Sequence, residues 1–238
     1  VFVDPFSQFE QVDTDPNNPT AAMLADRSSN LPTLFDAWGI DFSADAAILD
    51  AGAALQVPAR NGRGAVSHFG LIGLSGDSLD EEDVITSGLT SLNFLVAGWF
   101  ELAEDSALEM EALVVSTEQS MTAPVQRFQV TVDPAELQDD FSADGVRRPI
   151  AVRVSGSLPS AFPDGPPSAG DAAQAAADGD SEEGATESGH LSETAESANL
   201  ILVGDVDLLG DQLWVRVQRL FGERLLEAAE WLCGLMVP

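Results

Sequence analysis

At 238 residues the chain is long enough for one large domain or two small ones, and its 45% apolar content is that of a globular protein. Its charge is the outlier: 40 acidic residues face 10 basic ones, every one of them Arg, for a formal net charge of −30, which excludes nucleic acid and anionic membrane surfaces as direct partners because phosphate binding needs clustered cations. A single cysteine, Cys233, excludes an internal disulfide and Cys-based zinc sites.

In chain order, "VFVDP" opens as an apolar strand, Val1 to Val3, that ends in Asp4. "NLPTLFDAWGIDF" (Asn30 to Phe42) predicts a helix, with Asn30 as its cap and Pro32 in the first turn. Leu31, Leu34, Phe35 and Trp38 fall at helical spacing, and Gly39 ends it. "AAILD" reads as a short strand, and "ALQVPA" and "SHFGLIGL" as a strand pair around the turn "RNGRG". In "LTSLNFLVAGWFEL" Thr90, Asn93 and Gly98 weaken a helix, so its first half is read as strand. "LEMEALVVST" and "RPIAVRVSGSL" are read as strands too.

From Pro163 to Ala198 the chain is mainly Ala, Gly, Ser, Asp and Glu, with no aromatic residue, Val, Ile or Arg. Such a segment buries too little apolar surface to offset its ordering entropy, and it is read as a disordered acidic linker, with His190 a solvated residue within it. Beyond it, "ANLILVGDVDLL" is an apolar run of the kind buried on both faces of a parallel sheet, and "QLWVRVQRLFGERLLEAAEWLCGLM" is a long helical pattern. The expectation is one α/β domain in two pieces: residues 1–162 as its first part, truncated at the N-terminus, 163–198 as the linker, and 199–238 as its final strand and helix. No run of 18 or more apolar residues is present to span a membrane.

The acidity has two readings. A calcium-loaded module gathers carboxylates into loops such as D-x-D-x-D-G, and no such motif occurs. A salt-adapted, halophilic surface spreads them evenly and loses Lys, which is the pattern here.

"VFVDP" and "LILVGDVD" share a design, an apolar strand that ends in Asp. As parallel neighbours these two strands bring Asp4, Asp205 and Asp207 to the carboxyl-end rim, where open sheets bind ligands. Clustered carboxylates there suit a cation or the hydroxyls of a sugar; alternatively each Asp simply ends its strand in a turn. No cofactor is indicated: G-x-x-x-x-G-K-[ST] is absent, the chain has no Lys for one, and no G-x-G-x-x-G follows a strand. Ser75 in "GLIGLSGDS" is not framed as G-x-S-x-G. His68 is the one histidine outside the linker, and a strand histidine of this kind reads as structural. No residue is assigned as catalytic or as a metal ligand.

Taken together, "VFVDPF", "LPTLFDAWGIDF", "AILDAGAALQV", "HFGLIGL", "VITSGLTSLNFLVAG", "VRVSGSLPSAFPDGPP" and "ANLILVGDVDLLGDQLWVRVQ", in this order, resemble the auxiliary component of the uncharacterised ABC transport system associated with gliding motility. The resemblance covers Val1 to about Gly222. It implies a Rossmann-like or class I glutamine amidotransferase-like α/β domain without the amidotransferase nucleophile. It also implies a membrane-anchored protein on the extracytoplasmic, periplasmic face, with an ABC permease and ATPase as partners, and it carries no catalytic residues to transfer. The family places a helix and a Gly-Gly turn before "VFVDP" and a further strand and helix after "LWVRVQRLFGERLLEAAEW", so a longer parent protein is expected, with any membrane contact made by segments outside this chain. The sequence thus points to a non-enzymatic domain that binds a partner or an envelope ligand. The alternative is a sugar- or cation-binding hydrolase-like enzyme that uses Asp4, Asp205 and Asp207.

Overall fold

The computed structural model describes residues 1–10, 25–60, 63–130, 133–163, 165, 191–194 and 197–214, and the backbone of two further strands, Arg216–Leu220 and Glu223–Glu227. Most of the linker, with His190, lies outside the described residues, as does Cys233.

Helix α1 (Pro32–Trp38) forms where the spacing puts it, with Pro32 in its first turn. Gly39 ends it at φ 63°, returning its N–H to the Asp36 and Phe35 carbonyls. The cap is Leu31 and not Asn30, and no side chain closes that end. Leu31 packs against the apolar cluster beneath the helix, so burial sets the entry of the chain where a polar cap was expected.

The strands form small antiparallel sheets. Strand β1 (Ile40–Phe42) pairs with β6 (Phe100–Leu102), and β2 (Ala46–Asp50) with β8 (Ser120–Pro124). Strands β3 (Ala54–Pro58), β4 (Ala65–Ser75) and β5 (Ser91–Leu95) form a three-stranded antiparallel sheet in which β3 and β4 pair from Leu55 opposite His68 to Pro58 opposite Ala65. The third unit has the order β10–β9–β7, from Ala198–Val203, Pro149–Gly156 and Glu109–Val115. The architecture is α/β, with mostly antiparallel strands and few helices.

Two expectations need correction. Strand β10 runs antiparallel to β9, with Leu200 opposite Val154, and among the described residues its parallel partner is the short opening segment, bridged at Phe2 and Val203. A continuous apolar run reports burial, not strand direction. The C-terminal pattern is not one long helix: a single turn, α2 (Asp211–Trp214), leads into a hairpin of β11 (Arg216–Leu220) and β12 (Glu223–Glu227), with Leu220 opposite Glu223. "VRVQ", residues 215–218, alternates apolar and polar residues, a two-residue period that competes with the helical one.

Among the described residues three apolar clusters fill the interior. One centres on Ile48, Phe94, Leu113 and Ile150. The second, under α1, joins Val3, Phe35, Phe100 and Leu202, with the Phe35 and Phe100 rings edge to face at 6.2 Å. The third gathers Phe6, Leu49, Val96 and Phe128. Residues 95–98 tie the units together: Val96 N–H bonds Gly70 O, Ala97 O accepts from Ile48 N–H, and Gly98 N–H bonds Gly204 O, each at 2.8–2.9 Å. After the undescribed part of the linker, Leu191 to Thr194 run beside residues 157–160, where Thr194 N–H bonds Leu158 O at 2.9 Å. Among the described residues no helix is long and apolar enough to cross a membrane.

Candidate functional site

The opening strand holds its place through its main chain. Val3 N–H donates to Val203 O at 2.9 Å and Val203 N–H to Val1 O at 3.0 Å. This parallel register carries both strands to the same end, where Asp4 and Asp205 follow them. Asp207 comes two residues later, opening a short 3₁₀ turn (Asp207–Leu209). One carboxylate oxygen from each of the three lies within 4.8 Å of the other two. All three are buried, at 0%, 0% and 2% exposure.

Buried carboxylates need donors, and here the main chain supplies nearly all of them. Asp4 Oδ1 accepts from Phe6 N–H at 2.7 Å and Oδ2 from Val206 N–H at 3.0 Å. Asp205 Oδ2 accepts from Leu95 N–H at 2.6 Å, and Oδ1 from Leu208 N–H at 3.1 Å. Asp207 Oδ1 accepts from the Ser7 hydroxyl at 2.6 Å and Phe9 N–H at 3.2 Å, and Oδ2 from Gln8 N–H at 2.6 Å. The cluster thereby fastens residues 6–9, the end of β5 and the turn after β10 to one another.

Burial dominates the acidity of the first two. It raises the Asp4 carboxyl from an ordinary 3.8 to about 7, the Asp207 charge adding to it and the Phe6 and Val206 amides opposing. Burial likewise holds Asp205 well above the carboxylate range, reinforced by the charges of Asp4 and Asp207. Among the described residues the charges that act on this pair are those of other acids, so proton retention relieves the repulsion.

The geometry tests a cation as an occupant. A hard cation takes six or more oxygen ligands. The groups that converge on these carboxylates are N–H and O–H donors, whose hydrogens point at the oxygens a metal would use. They suit protons and turn closure better than a metal.

Asp50 is a fourth strand-ending acid, and sequence reasoning passed it over although "AAILD" shows the same pattern. It is buried, accepting from Gly52, Ala53 and Thr117 N–H and from the Thr117 hydroxyl, and it is not one of the three gathered acids. His68 sits on β4 with Nδ1 unpartnered, and burial lowers its pKa. It lines a cavity of about 270 Å³ beside Gln8 and Leu95, the residues whose amides bind Asp207 and Asp205. A second cavity, about 310 Å³, lies between Trp38 and Phe162. A third, about 250 Å³ and almost wholly apolar, lies between β10 and the 80–90 loop. None of the three gathered carboxylates lines any of these cavities.

Residues 1–230 match the model of a family described as an ABC-type uncharacterized transport system. The chain belongs to that family. Membership makes it an auxiliary ABC transport component, in agreement with the ordered segments of the sequence. No curated protein and no solved structure matches it.

Proposed function

We infer that this ABC transport component is a non-catalytic, extracytoplasmic domain. Its parent protein is anchored in the membrane by segments outside this chain, and the domain binds the permease or an envelope ligand through the rim where the opening strand and β10 end, with the ATPase in the same complex on the other side of the membrane. The observation that carries the non-catalytic reading is the state of the acid cluster. Every carboxylate oxygen of Asp4, Asp205 and Asp207 already accepts a hydrogen bond within the fold, and none of the three acids lines a described cavity. A catalytic acid must reach substrate. The family match supports the transport role, and the gliding-motility-type system is the branch whose ordered segments the sequence resembles. The parallel bridge at Phe2 and Val203 supports reading the strand pair as part of a Rossmann-like or class I glutamine amidotransferase-like sheet in the parent protein.

The test is co-purification. Tagged full-length protein solubilised from its native membranes should bring down the ATPase and permease of its transport system, and recovery free of both would overturn the assignment. The hydrolase-like reading keeps one favourable observation, three acids within 4.8 Å with Asp4 raised to about 7. It predicts glycoside or ester hydrolysis that Asp205→Asn abolishes without unfolding the chain, or a Ca²⁺- or Mg²⁺-dependent rise in melting temperature that the same variant removes.

A further inference from the structure

Strand β10 also contributes Ile201 and Val203 to the wall of the apolar cavity of about 250 Å³. Its sheet side continues through Val114 and Ala151, and its opposite side is Ile85, Thr86 and Leu89 of the loop between β4 and β5. Both walls are pinned. The Arg153 guanidinium of β9 holds the Asp83 carboxylate through two hydrogen bonds of 2.8 and 2.9 Å. The loop then closes on itself through Thr86 N–H to Asp83 O and Leu89 N–H to Thr86 O. Close-packed interiors hold few voids larger than a water molecule, and a dry apolar void of roughly 150 Å³ already admits benzene. A pinned void of this size leaves its lining without partner atoms, which an apolar guest would restore.

The lining also states what the guest is. No lining side chain is charged, and the one polar side chain is Thr86, buried with its hydroxyl unpartnered. The Val1 main-chain nitrogen, also at the wall, is already bonded to Ile201 O at 2.7 Å. A net charge of −30 disfavours an anionic guest, and the cavity offers no acid to hold a cationic one.

We propose that this cavity is a binding site for an uncharged hydrocarbon group, a single alkyl chain or a small neutral apolar molecule, seated between the β10–β9–β7 sheet and the Asp83-anchored loop. None of the three gathered acids lines this cavity, although its wall adjoins their cluster at Leu208, whose amide binds Asp205. The site operates in this chain alone, so its failure and the failure of the transport-complex reading are told apart by different experiments.

The probe is the series of straight-chain alcohols from 1-butanol to 1-decanol, titrated calorimetrically into the full chain in high salt. Affinity is expected to rise about fourfold per added methylene and to level off once the cavity is full. Ala151→Leu, which fills the cavity, should weaken 1-octanol at least tenfold, whereas Val84→Ser on the surface should leave it within twofold. On the unsubstituted chain, nuclear Overhauser contacts are expected from the alcohol's alkyl protons to the Ala151 and Val203 methyls, which keeps the test decisive should Ala151→Leu fail to fold. Affinity independent of chain length, loss of binding in Val84→Ser but not in Ala151→Leu, or absence of those contacts overturns the proposal. So does a dimer that Phe2→Ser dissolves and 1-octanol does not displace, because the guest would then be a second copy of the chain.

Discussion

Asp4 makes the stability of this fold fall with rising pH across a range where an ordinary surface carboxylate has no effect. Its carboxyl stands at about 7 in the folded chain against an ordinary 3.8. Between those values the folded state holds a proton that the unfolded chain has released, so stability declines as pH rises from about 4 to about 7 and levels off above. Roughly three pH units at about 1.36 kcal/mol each give a loss on the order of 4 kcal/mol. For a chain of this size that is a fall in melting temperature of roughly 8–16 °C. Asp205, raised by burial, works in the same direction. His68 opposes them: burial lowers its pKa, so its contribution is lost as pH falls below 6.5. Asp83 and Asp144, held low first by the Ile85 amide and by Arg148 respectively, lose their contributions only as pH falls below about 4. The assay is thermal melting by circular dichroism at pH 5.0 and 7.5 in about 2 M salt, where screening is nearly complete, for the parent chain and Asp4→Asn. The variant should melt lower at pH 5.0, since an amide nitrogen replaces one acceptor of the Phe6 and Val206 N–H groups. Its drop between the two pH values should be smaller by the Asp4 share, and the His68 effect cancels in the comparison. A parent melting point that is flat or rising over this range, or an equal drop in the variant, would refute the reasoning.

Gly204→Ala should lower stability by about 1–3 kcal/mol in urea titration. Its Cβ would stand 2.8 Å from Gly98 O, a main-chain atom with nowhere to go, whereas Gly88→Ala, with nothing within 4 Å, should be close to neutral. Thr86→Val should raise stability by about 1 kcal/mol or more, because it removes a buried hydroxyl that lacks a partner. In native-state hydrogen exchange the Val3 amide, bonded to Val203 O, should be protected, and truncation of Val1 to Val3 should be severely destabilising; fast exchange at Val3 would remove the strand pair that assembles the acid cluster. The melting temperature should rise between about 0.1 and 1 M salt as the Debye length falls from roughly 10 to 3 Å, and a flat response would reject the salt-adapted reading of the acidic surface.

The strand-ending acids were legible because their pattern is local: an apolar run and then Asp, written at both "VFVDP" and "LILVGD". The pairing of these two runs followed from their shared composition, and the structure brings Asp4, Asp205 and Asp207 together. What they do there was not legible, since it depends on the amides of Phe6, Gln8 and Leu95, and main-chain donors leave no mark in a sequence. Asp50 shows the limit from the other side: it has the same local pattern, and beside the local Gly52 and Ala53 amides its distant partner is Thr117, 67 residues away. Strand direction was hidden for a related reason. "ANLILV" states that β10 is buried, and only the position of β9 decides that it runs antiparallel. At the C-terminal end two periods coexist in "LWVRVQRL", and the helix-forming Leu, Arg and Glu around it favoured the one that the structure does not adopt.

The strand pair has a consequence for how the chain is made. Val206 meets Asp4 across 202 positions of sequence, so at a synthesis rate of about 5–20 residues per second the opening strand waits roughly 10–40 s for its partner. Throughout that interval Asp4 is in water and ionised near neutral pH, as any exposed carboxylate is. Closing the first strand against the late one removes it from water and returns a proton to it. This docking step should therefore take up protons, and it should be more favourable in a mildly acidic compartment than in a neutral one.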